Sequence, residues 1–473
     1  MGMSKKNIGL FLGPLVFIIL YFFTTPENLS QSGLAIAAST IWIAIWWTTE
    51  AFPIAATSLL PIILFPLTGG LSMKETVLGY SHPIIYLFIG GFILAIAIEK
   101  WNLHKRIALN IISFIGDSKK KIILGVMLAC AFLSMWISNT ATTVMMLPIG
   151  LAIIKQVKTD NKDFSIALML SIAFSASIGG IATLIGTPPN LILAANIQEK
   201  FQIEISFLEW MQIGLPFSIL LLSICWVYLT QIAFNFNDQQ NQSITTVKEE
   251  LIKLGAMSVE EKRVLTIFTL TALGWLSRSY LQNFIPQLND SIIALSAMFL
   301  LFFIPSKDNS RKLISWKEAE QLPWGILLLF GGGISIANGF STSGLASWLG
   351  SQFNLLEHVG LFILLICIVA SVNFLTEITS NLATTSIVLP ILIPLAYMAD
   401  VHPYILMIGA TIAASCAFML PVATPPNAIV FGSGVIKMNE MIKVGFWLNI
   451  VSIILLTLIT YYLVPIVFDL NLI

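Results

Sequence analysis

Long apolar runs, separated by short polar links, make up most of the chain. The runs fall at 7–23, 33–68 (interrupted near Pro53 and Pro61), 82–99, 122–153, 165–197, 206–234, 264–284, 290–304, 322–340, 359–399, 403–432 and 443–468. A membrane-crossing helix needs about 20 apolar residues, so the pattern leaves room for roughly ten to twelve segments that cross or enter a membrane. We therefore predict an all-α polytopic membrane protein whose apolar surface contacts membrane lipid.

The composition supports this prediction and narrows the function. Of the 473 residues, 57% are hydrophobic and 10% are charged, whereas soluble domains carry about 25% charged residues; a soluble enzyme is excluded. Basic and acidic residues each number 24, so no nucleic-acid partner is indicated. Lys5 and Lys6 precede the first run and are expected to remain cytoplasmic. This predicts a multi-pass plasma-membrane protein with a cytoplasmic N-terminus.

The chain contains an internal repeat on either side of a polar stretch at 235–263. The segment SNTATTVMMLPI at 138–149 recurs as SNLATTSIVLPI at 380–391, with eight of twelve positions identical. The tetrapeptide TPPN at 187–190 recurs at 424–427. The two offsets, 242 and 237 residues, are nearly equal and the order is preserved. The chain is therefore predicted to consist of two homologous halves.

The flanking charges give the two halves opposite orientations. Lysines at 119–121 and Lys155 flank the first SNT segment, whereas Glu357 and Asp400 flank its partner. The 33 residues between Lys121 and Lys155 are too few for two crossings and a turn, which favours a hairpin that enters the membrane and returns. We predict an inverted two-fold repeat with about 11 transmembrane helices and two re-entrant hairpins, an arrangement typical of secondary transporters.

Each TPPN motif is predicted to break a helix. Consecutive prolines remove two amide donors and push the preceding residue out of helical geometry. In the first half this is expected to free the carbonyls of Leu184 and Ile185, and in the second half those of Pro421 and Val422. Free carbonyls are suitable ligands for a small cation, while the helix that starts after the break presents its positive end to an anion.

The hairpin loops offer neutral polar groups to the same site. Ser138, Asn139, Thr140, Ser380 and Asn381 carry hydroxyl and amide groups that can donate to a carboxylate or coordinate a cation. No Lys, Arg or Asp lies within the hairpins or the broken helices. A dianion there would lack a fixed positive partner, and burying an uncompensated charge costs several kcal/mol. Bound Na⁺ is the natural compensation, which favours Na⁺-coupled symport over proton coupling.

Other roles are less compatible with the sequence. Glu377 is the only carboxylate in these elements, and we expect a structural hydrogen bond for it rather than a proton relay. A passive channel would need a continuous polar path, whereas the polar groups cluster at one depth. A membrane-embedded enzyme is disfavoured because no HExxH signature is present and the four His lie near segment ends.

Several motifs resemble those of one known family. SNTATTVMMLP, IGTPPN, TEITSNLATTSIVLP and CAFMLPVATPPNAIVFGSG are similar to motifs of the divalent anion/sodium symporter family, the INDY-type di- and tricarboxylate transporters. The resemblance implies a homodimer that works as an elevator, with a scaffold and a moving transport domain. The implied domains are a scaffold at 1–116, a transport domain at 117–234, a linker and scaffold at 235–357, and a transport domain at 358–473.

The resemblance also implies site residues by matching positions. The substrate-binding residues would be Asn139, Thr140, Thr187, Ser380, Asn381, Thr424 and Pro425. One sodium site would use Ser134, Ser138, Asn139 and Gly186, and the other would use Thr376, Thr379, Asn381 and Ala423. Leu382 departs from the family's second SNT and removes a hydroxyl from the pocket.

Two transport modes remain open at this point. The first is Na⁺-coupled import of C4-type dicarboxylates such as succinate, malate or fumarate. The alternative is a Na⁺-independent dicarboxylate exchanger, an antiporter whose substrates could include 2-oxoglutarate, because the resembling family also contains such proteins. Preloading of vesicles with dicarboxylate discriminates between them.

Overall fold

A computed structural model describes residues 5–116, 118–157, 162–235, 244–352 and 359–470. The first half contains α1 (Lys5–Phe23), α2 (Gln31–Thr49), α3 (Ile54–Thr57), α4 (Leu60–Thr68), α5 (Met73–Leu78), α6 (Pro83–Lys100), α7 (Leu103–Ile115), α8 (Lys119–Ser134), α9 (Asn139–Val157), α10 (Lys162–Ile181), α11 (Pro188–Phe201) and α12 (Phe207–Val227). The second half contains α13 (Ile244–Leu254), α14 (Val259–Leu276), α15 (Arg278–Leu281), α16 (Asp290–Phe303), α17 (Trp316–Ala319), α18 (Trp324–Thr342), α19 (Leu345–Gln352), α20 (Leu361–Thr376), α21 (Asn381–Met398), α22 (Pro403–Ser415), α23 (Pro425–Gly432) and α24 (Met438–Val467). The all-α prediction is confirmed.

Eight segments in the described ranges have the length and apolar composition of membrane spans. They are Lys5–Phe23, Gln31–Thr49, Met73–Lys100, Lys162–Ile181, Phe207–Ala233, Trp324–Thr342, Asn381–Met398 and Met438–Val467. Their burial differs sharply: 94% of the apolar window of α10 is buried, but only 17% of that of α1. Helix α10 is therefore a central helix that packs against α8, α9, α12 and α23. Most of the surface of α1 faces outward.

The two halves are inverted with respect to each other. Helices α8 and α9 form one hairpin, and α20 and α21 form its counterpart. At the start of α10, Lys162 forms an ion pair of 3.6 Å with Glu440 at the start of α24. At the start of α22, the counterpart of α10, the ring of Tyr404 lies 5.4 Å from that of Phe468, just beyond the end of α24. The 30 residues of α24 span about 45 Å, so its start and its end lie far apart. Helices α10 and α22 therefore start at opposite ends of the molecule.

Both helix breaks are present, and both are longer than the sequence indicated. Helix α10 ends at Ile181 and α11 starts at Pro188, while α22 ends at Ser415 and α23 starts at Pro425. In each case the Pro-Pro pair occupies the first turn of the new helix, where missing amides are tolerated. Each unwound segment therefore begins before the residues whose carbonyls the proline amides would have bonded in an unbroken helix. Other groups in the protein stabilise this additional released backbone.

Helix α7 is a separate amphipathic helix joined to the central linker. Arg106 Nε donates to Glu261 at 2.9 Å, and Lys105 Nζ lies 2.9 Å from a carboxylate oxygen of Glu250. These pairs connect α7 to α13 and to the start of α14. Glu357 and the predicted domain boundaries at 117 and 358 lie outside the described residues.

Candidate functional site

The hairpin loops and helix breaks of both halves surround one open cavity with about 1040 Å³ of water-accessible space. The first half contributes Ser138, Asn139, Thr140, Ile185, Gly186, Thr187, Pro188 and Pro189. The second half contributes Ile378, Thr379, Ser380, Asn381, Leu382, Pro421, Val422, Ala423, Thr424, Pro425 and Pro426. The cavity is large enough for a small dicarboxylate with its ions and water, and its wall contains the same motifs twice.

The serine of each loop stands just before a helix but is used differently. Ser138 Oγ accepts a hydrogen bond of 3.2 Å from the Ala141 amide at the start of α9. Ser380 precedes α21, yet its hydroxyl makes no capping hydrogen bond. The Thr187 side chain likewise makes no capping hydrogen bond at the start of α11. By contrast, Thr424 Oγ1 accepts a hydrogen bond of 3.3 Å from the Asn427 amide. The two halves therefore present different free hydroxyls to the cavity.

The Ser134 carbonyl, the Gly180 carbonyl and the side-chain oxygen of Asn139 lie close to Gly180 and Gly186 behind the first hairpin loop. Ser134 Oγ and Asn139 Oδ1 are buried without a hydrogen-bond partner. A Cβ added to Gly186 would lie 2.5 Å from the Gly180 carbonyl oxygen and 2.9 Å from that of Ser134. A Cβ added to Gly180 would lie 2.5 Å from Asn139 Oδ1. This cluster of neutral oxygens has the chemistry of a small-cation site, and a bound cation would satisfy the two unpartnered atoms.

The equivalent cluster in the second half is internally hydrogen-bonded. Thr376 Oγ1 donates to Asn381 Oδ1 at 2.7 Å, and the hydroxyls of Thr379 and Thr384 lie 2.6 Å apart. Ala423, Thr379 and Asn381 line the cavity. The same oxygen types are thus present in both halves, but a cation in the second cluster would replace existing hydrogen bonds. The two candidate cation sites are chemically unequal.

Asparagine side chains stabilise the released backbone at both breaks. Asn190 Nδ2 donates to the Thr183 carbonyl at 2.8 Å, and Asn427 Nδ2 donates to the Leu420 carbonyl at 3.1 Å. Both asparagines are fully buried. The final residue of each TPPN motif therefore replaces helical amides as a donor to carbonyls before the prolines, which explains how broken backbone is kept in an apolar interior.

Glu377 also stabilises the second break, but as a hydrogen-bond acceptor rather than as a donor. Its carboxylate accepts hydrogen bonds from the backbone amides of Phe418, Met419 and Leu420 at 2.8, 2.9 and 3.0 Å, and from Asn449 Nδ2 at 2.7 Å. The residue is 3% exposed. The structural hydrogen bond expected for Glu377 is confirmed, and the residue acts as an anchor for an unwound segment. At the equivalent position, 242 residues earlier, the first half has methionine.

The structure brings the predicted site residues together. All seven predicted substrate-binding residues line the cavity. Of the eight predicted sodium ligands, Ser134 and Thr376 are buried behind the loops, while the other six line the cavity. Leu382 also lies in the wall, so the hydroxyl missing from the second SNT is missing from the cavity itself.

Sequence reasoning missed a third wall, made by α1 and the end of α2. Lys5, Lys6, Thr48, Thr49 and Glu50 line the cavity. Lys5 Nζ donates to the carbonyl of Ile378 at 3.4 Å, next to the second loop. In the sequence these lysines served only as a topology signal, and nothing in the motif pattern relates them to residues more than 370 positions away.

The charges of the cavity are confined to this third wall. Among the lining residues, Lys5, Lys6 and Glu50 are the ones with ionisable side chains. Over the described ranges, no group of three or more His, Cys, Asp or Glu side chains could hold a metal ion. Any cation near the loops would therefore depend on neutral oxygens, which favour a weakly held, exchangeable monovalent ion over a tightly bound divalent metal.

Comparison with known proteins places these features in a family context. The family model described as the sodium:sulfate symporter transmembrane region matches residues 4–468. The sodium-dependent dicarboxylate transporter SdcS of Staphylococcus saprophyticus is 48% identical over 475 residues, covering 97% of this chain and 91% of the relative. SdcS of Staphylococcus aureus is 48% identical over 483 residues, covering 99% and 93% respectively.

Two solved structures share the fold at low sequence identity. Neisseria gonorrhoeae MtrF is 14% identical with a TM-score of 0.57, covering 100% of this chain and 97% of that protein. The Alcanivorax borkumensis YdaH transporter is 13% identical with a TM-score of 0.61, covering 91% and 98%. At this identity the likeness concerns the fold alone, and it agrees with a polytopic all-α architecture.

Proposed function

The chain belongs to the sodium:sulfate symporter family, and we propose that it is a secondary transporter that carries C4-type dicarboxylates, such as succinate, malate or fumarate, together with Na⁺. The observation that carries this proposal is the cavity between two symmetry-related loops, with unpartnered neutral oxygens directly behind one of them. The two Staphylococcus relatives named as sodium-dependent dicarboxylate transporters support the same substrate and ion.

The two loops divide the recognition of the substrate. One carboxylate is bound by Asn139 and Thr140, and the other by Ser380 and Asn381. The starts of α11 and α23 point their positive ends toward the same space. Thr187, Thr424 and Pro425 complete the set. Neutral donors bind a carboxylate weakly enough for release, which a transporter requires and a tight binding protein does not.

Sodium ions supply the positive charge that the loops lack. The first ion is held by Ser134, Ser138, Asn139 and Gly186, and the second by Thr376, Thr379, Asn381 and Ala423. Asn139 and Asn381 belong to both the ion and the substrate sets, so ion binding orients the amides that meet the carboxylates. Na⁺ and substrate therefore raise each other's affinity by linkage.

Movement of the site completes the transport cycle. The domains at 117–234 and 358–473 move as an elevator against the scaffold at 1–116 and 235–357. We propose further that the protein is a homodimer in the plasma membrane with its N-terminus in the cytoplasm. On that assignment Lys5 and Lys6 mark the cytoplasmic side, and the cavity is open to the cytoplasm in the described conformation.

Uptake into proteoliposomes tests this function. Labelled succinate should accumulate when an inward Na⁺ gradient is imposed and should stay at background when choline replaces Na⁺. Vesicles preloaded with unlabelled succinate separate this mode from exchange. Uptake that ignores Na⁺ but requires internal dicarboxylate would contradict symport and establish the antiporter instead.

A further inference from the structure

The first turn of α1 carries two lysines into the cavity. Lys6 Nζ lies 3.9 Å from a carboxylate oxygen of Glu50, and both side chains are exposed, at 65% and 60%. An ion pair this long and this exposed contributes little to stability. Its two opposite charges nevertheless largely cancel in their effect on a distant anion. Lys5 remains as the unbalanced positive charge among the ionisable residues of the cavity wall.

Lys5 also lies next to the substrate loop. Its ammonium group donates to the Ile378 carbonyl at 3.4 Å, two residues before Ser380. The carbonyl is a neutral acceptor, so this contact positions the ammonium group without cancelling its charge. An exposed ammonium group in a water-filled cleft with low-dielectric walls attracts anions into the cleft.

We propose that Lys5 is a capture residue, which draws dicarboxylate anions into the cavity from the side of the membrane on which α1 begins. This inference rests on the proposed function. Lys5 belongs to the proposed scaffold, whereas Ile378 belongs to the moving hairpin. When the hairpin moves to the other side, Lys5 stays behind, so its effect is specific to one side.

Among the described residues that line the loop cavity, none is a lysine from the opposite end of the scaffold. There, Lys200 at the end of α11 donates to the hydroxyl of Ser341 near the end of α18. Lys200 belongs to the proposed transport domain, which carries the hairpins. It lies outside the cavity that holds the loops. Lys5 thus makes the two directions of transport electrostatically unequal.

Sided membrane vesicles test the proposal with Lys5→Gln and Lys5→Arg. The KM for labelled succinate is measured in right-side-out and inside-out vesicles at one fixed Na⁺ concentration, with the ionic strength set low or high by choline chloride. We expect Lys5→Gln to raise the KM about threefold on the α1 side at low ionic strength and to leave the other side unchanged. The difference should vanish at about 0.5 M salt, because the Debye length is then only about 4 Å. Lys5→Arg should behave as the wild type.

A matched control separates capture from a general loss of surface charge. Lys317 is exposed and lies outside the cavity wall, so Lys317→Gln should leave the KM on both sides unchanged. An equal rise on both sides in Lys5→Gln, an unchanged KM, or a defect in Lys5→Arg as large as in Lys5→Gln would overturn the proposal. Absence of Na⁺-dependent uptake by the wild type would instead refute the proposed function.

A chemical variant keeps the test valid if Lys5→Gln folds poorly. Cys367 is the exposed cysteine in the described ranges, whereas Cys130, Cys225 and Cys416 are buried. Lys5→Cys in a Cys367→Ser background can therefore be labelled selectively after folding. An aminoethyl methanethiosulfonate label, which restores the positive charge, should lower the KM on the α1 side about threefold relative to a neutral methyl label. Equal KM values for the two labels would overturn the proposal.

Discussion

At the level of single residues, the unequal partnering of equivalent atoms determines what each side chain can do. Asn139 Oδ1 has no partner, whereas Asn381 Oδ1 accepts from Thr376. The sequence predicted both asparagines from the repeat. It could not predict this inequality, because the sequences of the two loops are nearly identical. Their hydrogen bonding depends on the three-dimensional packing around them.

Ser134 offers the cleanest test of the first sodium site. Its hydroxyl is buried and unpartnered, so Ser134→Ala leaves no protein donor or acceptor unsatisfied and should preserve thermal stability. We expect the Na⁺ concentration for half-maximal uptake to rise about tenfold, since one oxygen ligand is lost. Ser177→Ala is the matched control, because Ser177 Oγ in α10 is equally buried and unpartnered but lies outside the predicted site. A similar Na⁺ response in both variants would argue against the site.

Leu382 should influence the choice of substrate. It places an apolar side chain in the cavity wall where the first loop has Thr140. Leu382→Thr adds a hydrogen-bonding group, and one such bond contributes roughly 0.5–1.5 kcal/mol. We expect the ratio of kcat/KM for malate over succinate to rise about three- to tenfold. Leu382→Met, which keeps the wall apolar, should leave the ratio unchanged, and a shift of equal size there would contradict the interpretation.

At the level of elements, the broken helices are the decisive structures. The TPPN motifs predicted where α11 and α23 begin, because proline chemistry is local. The ends of α10 and α22 were not predictable, since they depend on distant groups such as Asn449, which lies 72 residues from its partner Glu377. Local sequence rules therefore located the breaks but underestimated their length.

Glu377 provides a test of how the second break is held. Glu377→Ala would leave three backbone amides, one buried and two partly buried, and the buried Asn449 side-chain amide without their acceptor. Each such group costs about 1–3 kcal/mol, so we expect the melting temperature in detergent to fall by several degrees and transport to be lost. Glu320, an exposed glutamate, serves as the control in Glu320→Ala. A melting temperature unchanged in Glu377→Ala would show that the break is held by other contacts.

At the level of the whole molecule, the inverted repeat accounts for the fold and for the pocket together. The repeat was predictable because two motifs recur in the same order at nearly one offset. The third wall was not, because α1 and α2 have no part in the motifs and reach the cavity only through the packing of the complete chain. The charged rim formed by Lys5, Lys6 and Glu50 is the feature that only the structure could supply.

The central claim is that a dianion occupies the cavity because bound Na⁺ neutralises it. The most direct measurement is the equilibrium binding of labelled succinate to the purified protein as a function of Na⁺ concentration, with choline balancing the ionic strength. We predict that the apparent Kd falls as Na⁺ rises and then reaches a plateau, and that Ser134→Ala shifts this curve to higher Na⁺. A Kd that is independent of Na⁺ would contradict the account.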